Sequence, residues 1–332
     1  MPVTWEISEL SDGLRVVTTP VPTSESVSVN LFVGAGSRGE NKRTMGVAHF
    51  LEHMVFKGTT KRPTAISIAE AIEGAGGSLN AYTGKEMTCN YNHVPFDELE
   101  TAVDVLADML HHSLLSPEEI DKERTVVQQE IRRTHDQPGA YVGELLIKAF
   151  YGEHPLGWST AGTEDTVGAM KREDFEEWMT TWYGAPNMVL SVAGNTTHKE
   201  VLALANRYFT EGVRTTAPAM PALNGAKLPV KPVISDARRD ITQASIALAM
   251  PGISRTDPDR YALNILNAVL GRGMSSRLFR EVRERRGLAY SVGSSVSRHS
   301  DGGMFAVSAG VSPENVTEER GATFFAVVVS LA

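Results

Sequence analysis

Two histidines and a glutamate that could hold and use a metal ion stand within five consecutive residues, His49-Phe50-Leu51-Glu52-His53. Residues three and four positions apart lie on one face of an α-helix, so both imidazoles can point at one ion with Glu52 beside them. Two imidazoles and one carboxylate suit zinc and leave a fourth position for water. This H-x-x-E-H spacing indicates hydrolysis by a metal-activated water.

The motif divides the roles among its residues. Glu52 is predicted to be the general base, because its neighbours on the helix already hold the metal. The third ligand must come from another element, and Glu123 and Glu130 are seven residues apart, two turns along one face of a predicted helix. Either one is a candidate ligand, and the other is a candidate for orienting a histidine from behind.

An His-x-x-x-His pair alone is more often two surface or satisfied core histidines than a metal site. The presence of Glu52, and of a predicted helix that carries Glu123 and Glu130, favours a zinc site over that interpretation. The other histidines show no ligand spacing and are interpreted as ordinary surface or core residues: His93, His111, His112, His135, His154, His198 and His299.

The composition of the 332 residues, 42% hydrophobic and 22% charged, is that of a globular protein. A net charge of −8 gives no basic footprint, so neither nucleic acid nor a membrane surface is an expected partner. The single cysteine, Cys89, excludes an intrachain disulfide. No signal peptide, transit peptide or transmembrane segment is recognisable, and a cytoplasmic location is predicted.

Periodicity and turn signals predict an α+β fold. The metal helix is expected to follow a cap at Thr44, and the helix of Glu123 and Glu130 to follow a capping box at 116–119. Predicted strands are 4–10, 14–19, 26–33, 78–83, 87–94, 188–193, 244–250 and 289–297. Other predicted helices are 97–114, 141–151, 172–183, 199–208, 261–270 and 275–286, and one capped by Thr64.

The order of elements suggests an internal duplication. Four prolines mark residues 215–232 as a linker. We therefore predict an N-terminal metal-binding domain over 1–214 and a partial, related domain over 233–332, each half an antiparallel-rich sheet with helices packed on it. The second half is expected to be truncated, with residues 317–332 departing from the pattern.

Residues 46–59 resemble the zinc-site helix of the pitrilysin-type (M16) metallopeptidases. The likeness is closest to the processing-peptidase subgroup, which includes the mitochondrial processing peptidase beta subunit and bacterial relatives. In that family a glutamate ligand follows downstream, and residues 123–130 match this second element. The resemblance implies that His49, His53 and Glu130 bind one zinc ion, with Glu123 as an acidic neighbour that assists catalysis.

Two further segments carry the resemblance. Residues 78–83 are similar to the family's edge strand, which binds substrate by strand addition, so Asn80, Ala81 and Tyr82 are implied to contact the peptide. The alternative is an ordinary hairpin strand. In the second half, Arg283 and Tyr290 match an Arg-then-Tyr element that stabilises the reaction intermediate. The nearby Arg280, Arg285 and Arg286 are interpreted as a solvated helix face.

These observations predict a zinc metalloendopeptidase that cleaves peptides or unstructured protein segments. The resemblance also allows a homodimer or a heterodimer with a related subunit. The alternative is a non-catalytic partner or assembly subunit of a family complex, or an inactive truncated form. A purely structural zinc site is disfavoured, because such sites usually use cysteine at most positions.

Overall fold

The computed structural model describes residues 4–209, 216–223, 243–313 and 316. The chain divides into two compact units, one of Met1–Ile131 with Ser159–Met220, the other of Arg132–Trp158 with Pro221–Ala332. Among the described residues, no helix is long and apolar enough to cross a membrane.

Nine strands and nine α-helices are described. The strands are β1 (Glu6–Glu9), β2 (Arg15–Pro20), β3 (Ser26–Val33), β4 (Ser78–Thr83), β5 (Thr88–Pro95), β6 (Met188–Gly194), β7 (Ala244–Gly252), β8 (Ala289–Arg298) and β9 (Gly303–Val311). The helices are α1 (Val47–Met54), α2 (Ala65–Glu73), α3 (Leu99–His111), α4 (Pro117–Asp136), α5 (Pro138–Tyr151), α6 (Glu164–Ala169), α7 (Arg172–Trp182), α8 (His198–Tyr208) and α9 (Arg260–Gly271). A π-helical segment covers Phe279–Arg285.

A six-stranded sheet in the order β1-β2-β6-β3-β5-β4 organises the first unit. Buried and half-buried residues alternate along β3 with the period of two that places successive side chains on opposite faces. Helices α1, α2 and α3 pack on its β4–β5 side. Among the strands that the structure describes, none pairs with the outer side of β4, so β4 is an open edge.

The second unit repeats part of this plan. Its sheet has the order β7-β9-β8, in which the last strand lies in the middle, as β5 does between β3 and β4. The predicted α+β class with two related halves is thereby confirmed. Strand β9 was not predicted, because all but one of its residues are buried and the alternation that identifies a half-exposed strand is missing. Helix α5 belongs to this unit and packs on β7.

The predicted linker and C-terminal departure fall largely outside the described residues. Only 216–223 of the linker at 215–232 is described, and 317–332 is not. The boundaries 1–214 and 233–332 stay a prediction.

The start of α1 differs from the prediction. The cap is Gly46, not Thr44, and Gly46 has a φ of 91°, a conformation that residues with a side chain rarely adopt. A Cβ on Gly46 would lie 2.6 Å from the carbonyl oxygen of Ala161, and one on Gly162 would lie 2.4 Å from that of Met45. The backbone at Met45–Gly46 and the backbone at Ala161–Gly162 therefore cross in direct contact at the beginning of the metal helix.

Replacing Gly46 with alanine should lower the free energy of unfolding by more than about 2 kcal/mol, because conformational strain and a backbone clash add. Gly76→Ala is the matched control, since Gly76 has a φ of 80° and a Cβ added there would meet no atom within 4 Å. It should cost about 1 kcal/mol. Urea denaturation measures both, and equal losses would refute the role of the crossing.

Candidate metal centre

Helix α1 positions the motif by burying its apolar side. Val47, Phe50, Leu51 and Met54 are buried, and the Phe50 ring packs edge to face on Phe175 of α7, with 5.0 Å between ring centroids. Because these residues occupy the core side of the helix, the motif's imidazoles and carboxylate are displayed on the other side.

Three side chains converge at one point beside α1. The Nε2 atoms of His49 and His53 lie 3.3 Å apart. The Oε2 atom of Glu130, on α4, lies 3.7 Å from Nε2 of His49 and 3.6 Å from Nε2 of His53. The geometry thus brings Glu130, rather than Glu123, against both ring nitrogens.

Glu123 instead lies behind His53. Its Oε1 atom accepts a hydrogen bond of 2.9 Å from Nδ1 of His53, and its Oε2 atom lies 2.5 Å from Nζ of Lys57. Burial acts to raise the pKa of Glu123, but the hydrogen bonds from His53 and Lys57 hold it below its ordinary value. A proton held on Nδ1 leaves the Nε2 lone pair of His53 directed at the convergence point.

The residues fit zinc. Two ligands about 2.1 Å from a tetrahedral ion lie roughly 3.4 Å from each other, close to the observed separation of the two Nε2 atoms. Burial, and then the nearby His53, lower the pKa of His49 to about 4, so its imidazole is neutral and able to bind a metal. Nδ1 of His49 is buried without a hydrogen-bond partner among the described residues, so no neighbouring side chain orients this ring as Glu123 orients His53.

Glu52 interacts electrostatically with His53 and Glu130 at the convergence point. It is held by a residue that the sequence did not single out. The hydroxyl of Thr83, at the end of β4, donates a hydrogen bond of 2.5 Å to Oε2 of Glu52. Burial raises the pKa of Glu52, while the bond from Thr83 opposes that rise. A carboxylate with a raised pKa beside a metal site is suited to proton transfer.

A second residue outside the motif supports the beginning of α1. Glu40 is buried, and its two carboxylate oxygens accept hydrogen bonds of 2.8 and 3.0 Å from the backbone N–H groups of Gly46 and Ala48. It therefore supplies the cap that Gly46 cannot. Burial raises the pKa of Glu40 from 4.5 to about 8, against the opposing effect of the two N–H donors.

The predicted peptide-binding residues lie on the open edge strand. Asn80 and Tyr82 are exposed, and Ala81 is half-buried. The Oδ1 atom of Asn80 accepts a 2.8 Å hydrogen bond from the N–H of Ala81. Their contact with a peptide stays a prediction.

Arg283 and Tyr290 belong to the second unit and lie beside each other there. The guanidinium carbon of Arg283 is 5.2 Å from the Tyr290 ring centroid and 4.8 Å from that of Phe279. Tyr290 is 77% exposed, so its phenol is accessible. Their role toward an intermediate stays a prediction.

Lys57, Thr83 and Glu40 were missed from the sequence. Lys57 follows His53 by four residues, but α1 ends at Met54 and Lys57 pairs with Glu123 rather than with His53, so helical spacing did not indicate this contact. Nothing indicated Thr83, because its contact with Glu52 joins separate segments of the chain. The contacts of Glu40 with Gly46 and Ala48 span a loop whose path the residue pattern does not give.

The family is shown by comparison with known proteins. Residues 15–164 match the family described as Insulinase (Peptidase family M16), and residues 169–332 match the Peptidase M16 inactive domain. An uncharacterized zinc protease of Mycobacterium leprae is 40% identical over 305 residues, which are 92% of this chain and 68% of that protein. The chain belongs to peptidase family M16.

Other similar proteins include a second relative and two solved structures. The uncharacterized zinc protease YmxG of Bacillus subtilis is 39% identical over 302 residues, which are 90% of this chain and 72% of that protein. The crystal structure of a protease from Helicobacter pylori is similar with a TM-score of 0.87 at 25% identity, covering 96% of this chain and 78% of that one. Pitrilysin shares the fold, with a TM-score of 0.76 at 22% identity over 99% of this chain and 36% of its own. Family and relatives support a peptidase-type role and imply zinc.

Replacing Glu123 with glutamine should weaken zinc binding about 10- to 100-fold, because the His53 ring loses its charged acceptor. Competition with a chromophoric chelator measures the affinity. Glu118→Gln is the control on the same helix, since Glu118 is 80% exposed and contacts no histidine in the described ion pairs. Equal affinities for the two variants would contradict the orienting role.

The raised pKa of Glu40 makes stability depend on pH. The folded protein binds the proton of the Glu40 carboxyl group more tightly than the unfolded chain does. Protonation of Glu40 therefore contributes fully to the free energy of unfolding below pH 4.5, and this contribution is lost as the pH rises toward 8. Glu40→Gln removes the titration. The free energy of unfolding of the wild type, minus that of this variant, should fall by up to about 1.4 kcal/mol per pH unit between about pH 5 and 8. Urea titrations across that range measure it, and a constant or rising difference would disprove it.

Proposed function

We propose that this chain is a zinc-dependent endopeptidase that cleaves extended peptides or unstructured protein segments. The observation that carries the proposal is the convergence of His49, His53 and Glu130 at one point, with the carboxylate of Glu52 near enough to interact electrostatically with His53 and Glu130. The family membership and the names of the relatives support it. One zinc ion per chain, held by these three residues, is part of the proposal.

The chain's own groups divide the chemistry. Zinc, when bound, supplies a Lewis acid that lowers the pKa of water to about 7. Glu52 accepts the proton of the attacking water, through Oε1, because Thr83 occupies Oε2. The same carboxylate then delivers that proton to the amine that leaves. Glu123 and Lys57 hold the ring of His53 in the orientation that binding requires.

The open edge of β4 is proposed to bind the substrate. An extended peptide can add to this edge by main-chain hydrogen bonds, which favours unfolded segments over folded proteins. Asn80, Ala81 and Tyr82 would align it. Arg283 and Tyr290 are proposed to stabilise the negative charge that develops on the scissile carbonyl oxygen.

A non-catalytic subunit is the alternative within the same family. The complete set of proposed ligands and the supported Glu52 favour the enzyme, since neither a ring-orienting carboxylate nor a held base is needed for assembly alone. A homodimer, or a pair with a related subunit, stays a prediction.

Replacing Glu52 with glutamine should reduce peptide hydrolysis by about 10²- to 10⁴-fold while zinc content stays unchanged, because the base is lost and the ligands are kept. A fluorogenic unstructured peptide and elemental analysis measure the two quantities. Glu70→Gln, at an exposed position of α2, is the control and should keep full activity. Unchanged hydrolysis in the Glu52 variant would contradict the assignment of the base, and a zinc-loaded wild type without activity would favour the non-catalytic subunit.

A further inference from the structure

We infer that Thr83 is a positioning residue, which fixes the carboxylate of Glu52 and joins it to the edge strand that is proposed to bind the peptide. This inference rests on the proposed function. It concerns a contact between two elements, α1 and β4, that are separate in sequence but adjacent in the first unit.

A hydrogen bond joins Thr83 to Glu52. The Thr83 hydroxyl donates to Oε2 of Glu52 over 2.5 Å, and a hydrogen bond to a carboxylate is stronger than one between neutral groups. The glutamate side chain has several rotatable bonds, and its restriction costs entropy that this contact offsets. One oxygen is thereby held, and the other is presented in a fixed direction.

The strand end that carries Thr83 is itself firmly held. Thr83 pairs in register with Thr88 of β5. Thr88 is fully buried. Its hydroxyl donates a hydrogen bond of 2.9 Å to the carbonyl oxygen of Ala35, and the Thr88 side chain is also hydrogen-bonded to the buried hydroxyl of Tyr183. These contacts restrict the position from which Thr83 donates.

The turn between β4 and β5 is fixed as well. The N–H groups of Ser37 and Arg38 donate to the carbonyl oxygens of Gly84 and Lys85 over 3.1 and 2.8 Å. The side chain of Arg38 makes an ion pair of 2.7 Å with Glu86, and both side chains are at most 10% exposed. A buried pair of this kind is costly to break, so the turn is a firm anchor.

The arrangement gives β4 two roles. Its alternation places Thr83 on the half-buried side, toward α1, while Asn80 and Tyr82 are exposed. A peptide that pairs with the backbone of β4 thus binds to the same strand whose last residue holds Glu52. Strand β4 would therefore fix the position of both the bound peptide and the Glu52 carboxylate.

The kinetic test compares Thr83→Val, which keeps the shape and loses the donor, with Thr83→Ser, which keeps the donor. The valine variant should lose at least about 10-fold in kcat with KM and zinc content within about threefold of wild type. The serine variant should restore kcat to within about threefold of wild type. An unchanged kcat in the valine variant, or equal losses in both variants, would overturn the inference.

A second readout does not depend on activity. In metal-free protein, Thr83→Val should lower the urea midpoint of unfolding when Glu52 is present and should have a smaller effect in a Glu52→Ala background. The same shift in both backgrounds would show a purely structural role for Thr83 and overturn the inference. If the valine variant does not fold, Thr83→Ala takes its place in both experiments.

The two failures are distinguishable. A zinc-loaded wild type that hydrolyses no peptide refutes the proposed function, while the unfolding experiment still reports whether Thr83 and Glu52 are coupled. An active wild type with an unaffected valine variant refutes the role of Thr83 alone.

Discussion

The proposed centre depends on holding two imidazole nitrogens 3.3 Å apart, opposite a carboxylate that belongs to a different helix. Helix α1 has only eight residues, and helices this short are marginal in water without tertiary contacts. Its position must therefore come from its surroundings: the buried apolar side, the Gly46–Gly162 crossing and the Glu40 cap. Each restrains the helix at a different place, and together they bring the two rings to Glu130.

The negative charge of the carboxylates around His49 and His53 favours the binding of a cation. Three carboxylates, Glu52, Glu123 and Glu130, surround two imidazoles, and one of the three is paired with Lys57. Of the two remaining carboxylates, Glu52 is half-buried, so its negative charge is costly without a counter-ion, while Glu130 is exposed. A divalent ion bound beside the neutral His49 would offset both charges. The Thr83 hydroxyl gives Glu52 a hydrogen bond without adding a positive charge beside the proposed metal position.

Local pattern was sufficient to predict the elements that carry the ligands. Helical spacing predicted the helix of His49 and His53, and a capping box predicted the start of α4 at Pro117, where the Ser116 hydroxyl accepts from the N–H of Glu119. Long-range contacts were not predictable in this way. The Gly46 cap requires knowledge of Ala161, a residue from a distant part of the chain, and β9 lacks alternation because it is buried on both faces. The domain boundaries, the cytoplasmic location and the subunit arrangement stay predictions.

The measurement that tests the central claim most directly is the X-ray absorption fine structure of zinc bound to the intact chain. We expect one zinc with two imidazole nitrogens at about 2.0–2.1 Å, carboxylate and water oxygens at similar distance, and no sulfur. A sulfur ligand from the single cysteine, Cys89, or a spectrum that keeps both imidazoles after His49→Ala and His53→Ala are combined, would contradict it.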